Sequence, residues 1–233
     1  MLLNISTLSC AKDNVSIVTM EQVPYGFKSN DEKTSGVFYE ILNSIIIASD
    51  IARENRLLPL NRLFIKMSSR QDMCSLIADT PEIVENLDLV EPIGLLLDLG
   101  ILPKKGVILE HYSNLKGLTI AVPLGVYFDE HFSNDHTLSI VSPRNYTNAV
   151  KLLKNGQVDA IAGAILALKF IGIKEGMAAT DFGSPLVLSR NEVQLVCSYG
   201  LSKRTRNKLK DAVIELKANG TIQDTLDVYF DER

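Results

Sequence analysis

No apolar run in this chain approaches the ~20 residues that a membrane-spanning helix needs. The longest candidate, Ile41 to Ile51, is broken by Asn43, Ser44, Ser49 and Asp50. Cysteine is scarce, and Cys10, Cys74 and Cys197 share no metal-ligand spacing. Cys74 and Cys197 sit within apolar runs and read as buried thiols. One disulfide is open to the three, and the odd count leaves at least one thiol free. His111, His131 and His136 do not pair on a helix face, which excludes an obvious zinc site. Positive charge is not in excess either: the net charge of −4 gives no general pull toward nucleic acid or an anionic membrane. The one dense basic cluster, Lys203-Arg204-Thr205-Arg206-Asn207-Lys208, lies among acidic residues and reads as the exposed first turns of a helix. The first ten residues carry no basic segment ahead of an apolar core, so an exported form is expected to have shed its signal. There is no Ser/His/Asp or Cys/His set and no phosphate loop. Asp79 and Asp159 alone do not make an acid–base pair. The expectation is a protein without catalytic activity and without a cofactor.

What is present is an ordinary globular composition. Of 233 residues, 46% are hydrophobic and 22% charged, enough for one large domain or two lobes of about 100 residues each. Val15-Ser16-Ile17-Val18-Thr19-Met20 reads as a first strand, and residues 23–27 as a loop. Gly36 opens a helical pattern, with Phe38, Ile41, Leu42 and Ile45 on one face. Leu57-Leu58 is a short apolar step before Pro59. Residues 60–67 read as helix and 71–77 as a buried strand. After the apolar run Leu95 to Leu102 and a turn at residues 103–106, strands are expected near 118–122, 139–141 and 158–162. A helix over 145–154 is stopped by Asn155-Gly156. Leu186–Leu188 and Gln194–Ser198 read as two separate strands. Ser202 caps a helix running to about residue 218, and a last helix covers 221–229. Alternating strands and helices predict an α/β fold with mostly parallel sheets. A faint internal echo, a helix and a polar turn before a strand with an early Asp, pairs Ser69-Arg70-Gln71-Asp72-Met73-Cys74 with Asn155-Gly156-Gln157-Val158-Asp159-Ala160, as two similar lobes would.

Several motifs carry a family resemblance. In residues 79–93, Thr80-Pro81-Glu82 and Pro92 match the frame of a signature in which Thr-x-Glu-Arg opens a short helix and a strand ending at an apolar-Pro step follows. Gly36-Val37-Phe38, Asn114-Leu115-Lys116-Gly117, Ala121-Val122-Pro123-Leu124-Gly125, the segment Leu152 to Ala160 and Asn219-Gly220-Thr221-Ile222 match further family motifs in order and spacing. Together they resemble the type II extracytoplasmic (periplasmic) solute-binding proteins, family 3, of amino-acid ABC transporters. The resemblance implies a two-lobed fold, each lobe a mostly parallel sheet flanked by helices. It implies lobe 1 from residues 10–97 plus 187–233, lobe 2 from 98–186, and a hinge near 96–100 and 185–188. A monomer in the periplasm would capture a small-molecule ligand in the cleft and hand it to a membrane transporter permease. No nucleic acid and no direct membrane insertion are implied. The same module also serves as a ligand-sensing domain of signalling proteins, and the same fold carries small-molecule lyases.

The resemblance fails at the ligand anchors. Ile83 stands where amino-acid-binding members carry an Arg that grips the ligand carboxylate. Val126 stands where a Thr is expected, and Gly163-Ala164 where an acidic residue would meet the ligand's amino group. A zwitterion desolvated without partners costs several kcal/mol, so the ligand is expected to be something other than an ordinary α-amino acid. The residues expected to line the cleft are Tyr25 and Phe27 as stacking aromatics, and Arg62 as the best remaining cation. Ala78, Asp79, Thr80 and Ile83 follow at a strand end, Gly125, Val126 and Tyr127 in the second-lobe loop, and Asn145 before a helix. Asp79 and Asn145 are each also candidates for a helix cap.

Overall fold

A computed structural model describes residues 15–29, 31–51, 54–69, 72–124 and 130–230. Strand β1 (Ser16–Met20) is apolar or β-branched at almost every position, and Ile17, Val18 and Thr19 are buried. Such a run suits a parallel strand covered on both faces. The short hairpin of β2 (Phe27–Lys28) and β3 (Thr34–Ser35) and helix α1 (Val37–Ser49) lead to β4 (Asn55–Leu58). Helix α2 (Leu60–Ser69) leads on to β5 (Met73–Ala78). β1 lies between β4 and β5 and runs parallel to both. After α3 (Pro81–Asn86) comes the 16-residue strand β6 (Asp88–Pro103).

The plan then repeats. β7 (Thr119–Ala121), α4 (Glu130–Ser133), β8 (Ser139–Val141), α5 (Tyr146–Lys154) and β9 (Ala160–Ala164) follow, with β7 parallel to both β8 and β9. Helix α6 (Ile165–Lys174) precedes β10 (Leu186–Cys197), and α7 (Lys203–Ala218) and α8 (Thr221–Phe230) close the described chain. The strand order is β4-β1-β5-β10-β6-β9-β7-β8. Each half of the sheet has its first strand in the middle, its second outside and its third inside. The two long strands β6 and β10 run antiparallel to each other at the centre. The echo read in the sequence falls on equivalent places: Asp72 precedes β5 and Asp159 precedes β9.

Asp159 is a structural staple. One carboxylate oxygen accepts from Lys104 Nζ at 2.6 Å and the other from the Thr119 N–H at 2.9 Å, tying the ends of β6 and β7 to the start of β9. The Lys104 hydrogen bond and the Thr119 amide hold its carboxyl below the usual range. The basic run likewise opens α7, and Ser202 caps it by accepting the Thr205 N–H at 3.1 Å. Its Arg206 is not simply exposed: Nε donates to Asp88 at 2.8 Å and Nη2 to the Leu89 carbonyl, docking the helix on β6.

Four expectations change. Leu186–Leu188 and Gln194–Ser198 are ends of one strand, β10. Its polar middle, Ser189 to Glu192, pairs with Leu99 to Leu96 of β6, and Arg190 forks onto Asp98 at 2.5 and 2.8 Å. Pro92 does not end a strand; it lies within β6 opposite Gln194, at a register shift that tolerates its missing N–H. Helix α6 was not foreseen, because it is apolar on nearly every face and buried against α5, β6 and β9. Cys74 and Cys197 are fully buried but are not thiols: they stand opposite each other on β5 and β10 and form a disulfide. Cys10 lies outside the described residues.

Candidate ligand-binding cleft

Open α/β sheets bind ligands beyond the carboxyl ends of strands where the strand order reverses. Here it reverses at β1 in one half and at β7 in the other. The chain leaving these strands and their outer neighbours lines one cleft of about 940 Å³. Glu21, Gln22, Phe27 and Lys28 follow β1, and Pro59, Leu60 and Phe64 follow β4. Pro123 and Leu124 follow β7, and Arg144, Asn145, Tyr146 and Thr147 follow β8.

The first wall is seated on helix α1. The first N–H groups of a helix need partners from outside it. Pro24 O accepts the Val37 N–H at 3.0 Å, and Tyr25 O accepts those of Phe38 and Tyr39 at 2.9 and 3.1 Å. Gly36, at φ 131°, permits this approach, because a Cβ there would lie 2.5 Å from the Tyr25 carbonyl oxygen. The Tyr229 hydroxyl of α8 accepts the Gly36 N–H at 3.0 Å and donates to Glu40. With the loop held this way, the Tyr25 side chain turns inward. It stacks on Phe38 with ring centroids 4.5 Å apart, and its buried hydroxyl has no hydrogen-bond partner among the described residues. Burial, with a smaller contribution from Tyr146, pushes its pKa well above the ordinary tyrosine value.

The second wall is organised by the start of α5. Asn145 caps it, its side-chain oxygen accepting the Asn148 N–H at 2.9 Å. Tyr146 follows and is 6% exposed. Its hydroxyl accepts the Ala164 N–H at 3.0 Å, and its ring fills the space a side chain at Gly163 would need. Burial raises its pKa, opposed by the Ala164 amide and the Gln22 side chain. Gln22 and Tyr146 come from opposite halves of the sheet, and both line the cleft.

Among the described residues, three charged side chains line the cleft: Glu21, Lys28 and Arg144. All are exposed, and none has a hydrogen bond or ion pair among the described residues. Phe27, Leu60, Phe64, Leu124 and Ile171 supply apolar surface.

Of the residues singled out from the sequence, Phe27 and Asn145 line this cleft. Tyr25 belongs to the core. Arg62 is exposed on α2 outside the lining, and Ala78 is the last residue of β5. Asp79 is neither an anchor nor a cap. Its carboxylate accepts the Glu192 N–H at 2.7 Å and its own N–H donates to Glu192 O at 3.0 Å, extending the β5–β10 pairing. Thr80 is the N-cap of α3 without a side-chain bond, and Ile83 is core, 4% exposed. Gly125, Val126 and Tyr127 lie outside the described residues. Sequence reasoning passed over Glu21, Lys28 and Arg144. The signal available was their position just beyond the ends of strands that it did recognise. Among the described residues no group of His, Cys, Asp and Glu could hold a metal ion, and no helix is long and apolar enough to cross a membrane.

No family model matches the chain. The probable amino-acid-binding protein YxeM of Bacillus subtilis (strain 168) is 23% identical over 227 residues, 94% of this chain and 85% of the relative. A histidine kinase sensor domain with similarity to periplasmic binding proteins superposes with a TM-score of 0.78 at 15% identity, covering 93% of this chain and 96% of that one. A mutant of ArgBP from T. maritima gives 0.76 at 18% identity, covering 94% and 96%. The chain therefore has the two-lobed fold of the type II periplasmic binding proteins. A substrate-binding protein of an amino acid ABC transporter superposes with a TM-score of 0.73 at 17% identity, covering 94% of this chain and 100% of that one.

Proposed function

We propose that this protein is an extracytoplasmic solute-binding protein that captures a small molecule in its inter-lobe cleft and delivers it to a membrane transporter permease. Residues 10–97 plus 187–233 act as lobe 1 and residues 98–186 as lobe 2, with the hinge near 96–100 and 185–188. The protein works as a monomer and carries out binding without catalysis.

One observation carries the reading: a single cleft is lined from both halves of a sheet whose halves meet through β6 and β10. Bending at such a junction would bring the walls together around a solute. A cleft of about 940 Å³ is in the range of small-molecule sites, roughly 300–1,000 Å³. The likeness to YxeM, named as an amino-acid-binding protein, supports a small organic solute. The Cys74–Cys197 disulfide supports an oxidising compartment. The ligand is something other than an ordinary α-amino acid. Ile83 is buried and cannot donate, and Gly163 has no side chain, its space being filled by Tyr146.

The test is a thermal-shift screen against a broad metabolite library, followed by calorimetry, since a solute that binds the folded form raises its melting point. Deleting the gene should abolish uptake of that solute. A library without a single binder refutes the function, and micromolar binding of a standard amino acid refutes the ligand class. The likeness to a histidine kinase sensor domain favours a second reading, ligand sensing. A deletion strain that keeps uptake but loses its transcriptional response to the solute would select it.

A further inference from the structure

We propose that the solute is an organic anion, and that Lys28 and Arg144 grip its anionic group from opposite walls of the cleft. This deepens the solute-binding reading and rests on it. Lys28 belongs to β2, which follows the central strand of one half in the chain, and Arg144 lies between α5 and β8, the outer strand of the other half. Neither side chain has a hydrogen bond or ion pair among the described residues. Other cations of the molecule are engaged: Lys104 with Asp159, Arg190 with Asp98, Arg206 with Asp88 and Lys217 with Glu91.

Cations on both walls oppose closure of the cleft, and their repulsion grows as the walls approach and water leaves. An anion between them reverses the sign, so the ligand itself supplies the drive to close. Arg144 stands just before α5, whose first N–H groups and positive dipole end favour the same charge. A guanidinium offers a forked pair of donors to a carboxylate, and the lysine ammonium adds a point charge.

The rest of the lining narrows the class. Phe27, Phe64 and Leu60 on one wall and Ile171 and Leu124 on the other suit an apolar or aromatic body. Glu21, on the same wall as Lys28, repels a second anionic group and favours a monoanion over a dianion. The second wall gives no carboxylate for an ammonium group among its described residues, and the Tyr146 hydroxyl is already bonded to the Ala164 amide.

The experiment screens the whole protein by thermal shift and calorimetry. The probes are hexanoate, benzoate and phenylacetate with their neutral amides and matching amines, within a metabolite library sorted by charge. The expected binders are monoanions, at least ~10-fold tighter than their amides and weakened by salt. Lys28→Gln and Arg144→Gln should each lower that affinity ~10-fold, the equivalent of one charged hydrogen bond, and leave the melting point of the free protein unchanged. If neutral or cationic solutes bind best, or if neither substitution changes the affinity for an anion, the anion clamp is wrong while the solute-binding function stands. A library with no binder of any charge overturns both.

Discussion

Replacing Gly163 by alanine should destabilise the protein by about 3 kcal/mol, and most of that loss should depend on Tyr146. The added Cβ would lie 2.7 Å from Tyr146 Cζ, 2.8 Å from its hydroxyl and 3.2 Å from Cε1. Carbon atoms pack best about 3.5–4.0 Å apart, so the ring must retreat by about 1 Å. Overpacking of this kind costs about 1–3 kcal/mol. The retreat also pulls the hydroxyl off the Ala164 N–H, now bonded at 3.0 Å in a buried setting. An unpaired buried amide adds about 1–3 kcal/mol. Removing a glycine restricts the unfolded chain by about 0.4–1 kcal/mol, but Gly163 has φ 158°, where an alanine is strained, so that gain is roughly cancelled. Tyr146→Leu alone should also destabilise, since it empties a packed site and orphans the same amide. In the double variant the alanine methyl enters space that the ring has left. The loss in the double variant should therefore fall short of the sum of the two single losses by at least about 1 kcal/mol. Equilibrium urea unfolding followed by circular dichroism measures all four corners of the cycle. Additivity within about 0.5 kcal/mol would refute the contact, because sites that do not touch add to that accuracy.

Tyr25→Phe removes a buried hydroxyl that has no partner among the described residues, so it should be neutral or stabilise by up to about 1 kcal/mol; a loss of about 1 kcal/mol or more in the same urea assay would mean the hydroxyl is bonded. Reducing the Cys74–Cys197 disulfide, which spans 123 residues, should cost about 5 kcal/mol by loop entropy. An unchanged melting point in reductant, or three free thiols by titration without reductant, would contradict it. Acid should destabilise the fold through Asp98, held low chiefly by its hydrogen bond from Arg190, and Asp159, held low chiefly by Lys104. Their folded pKa values lie below the unfolded carboxylate value of ~3.9, so their contribution is complete above that pH and lost as pH falls through the folded values. Asp159→Asn should make stability less steep in pH below ~4, and an unchanged slope in urea midpoints from pH 5 to 2.5 would exclude this role.

The walls of the cleft illustrate how far a linear reading reaches. Phe27 was legible as an aromatic in a loop after a strand, and Asn145 as a polar residue before a helix. Tyr25, two residues from Phe27, reads the same way in sequence. It points into the core because the carbonyls of its own loop cap α1 and fix the loop's orientation. Asp79 looked like a site residue because it ends a strand in a signature segment. That strand is the inner one of its half, and β10 runs beside its end and takes the carboxylate. Helix α6 was hidden because a helix apolar on all sides has no periodicity to read. The polar middle of β10 was hidden because its partner strand lies some 90 residues away in sequence.

By itself, the sequence determined the alternation of strands and helices and the caps at Asn145 and Ser202. Each of these is set by side chains within a turn or two of one another. Only the tertiary structure decided which strand ends meet, and hence that Lys28 and Arg144 share one cleft, that Tyr146 fills the place of a side chain at Gly163, and that Cys74 reaches Cys197. Those pairings depend on a strand order in which neighbours in space are far apart in the chain, and no local pattern encodes that order.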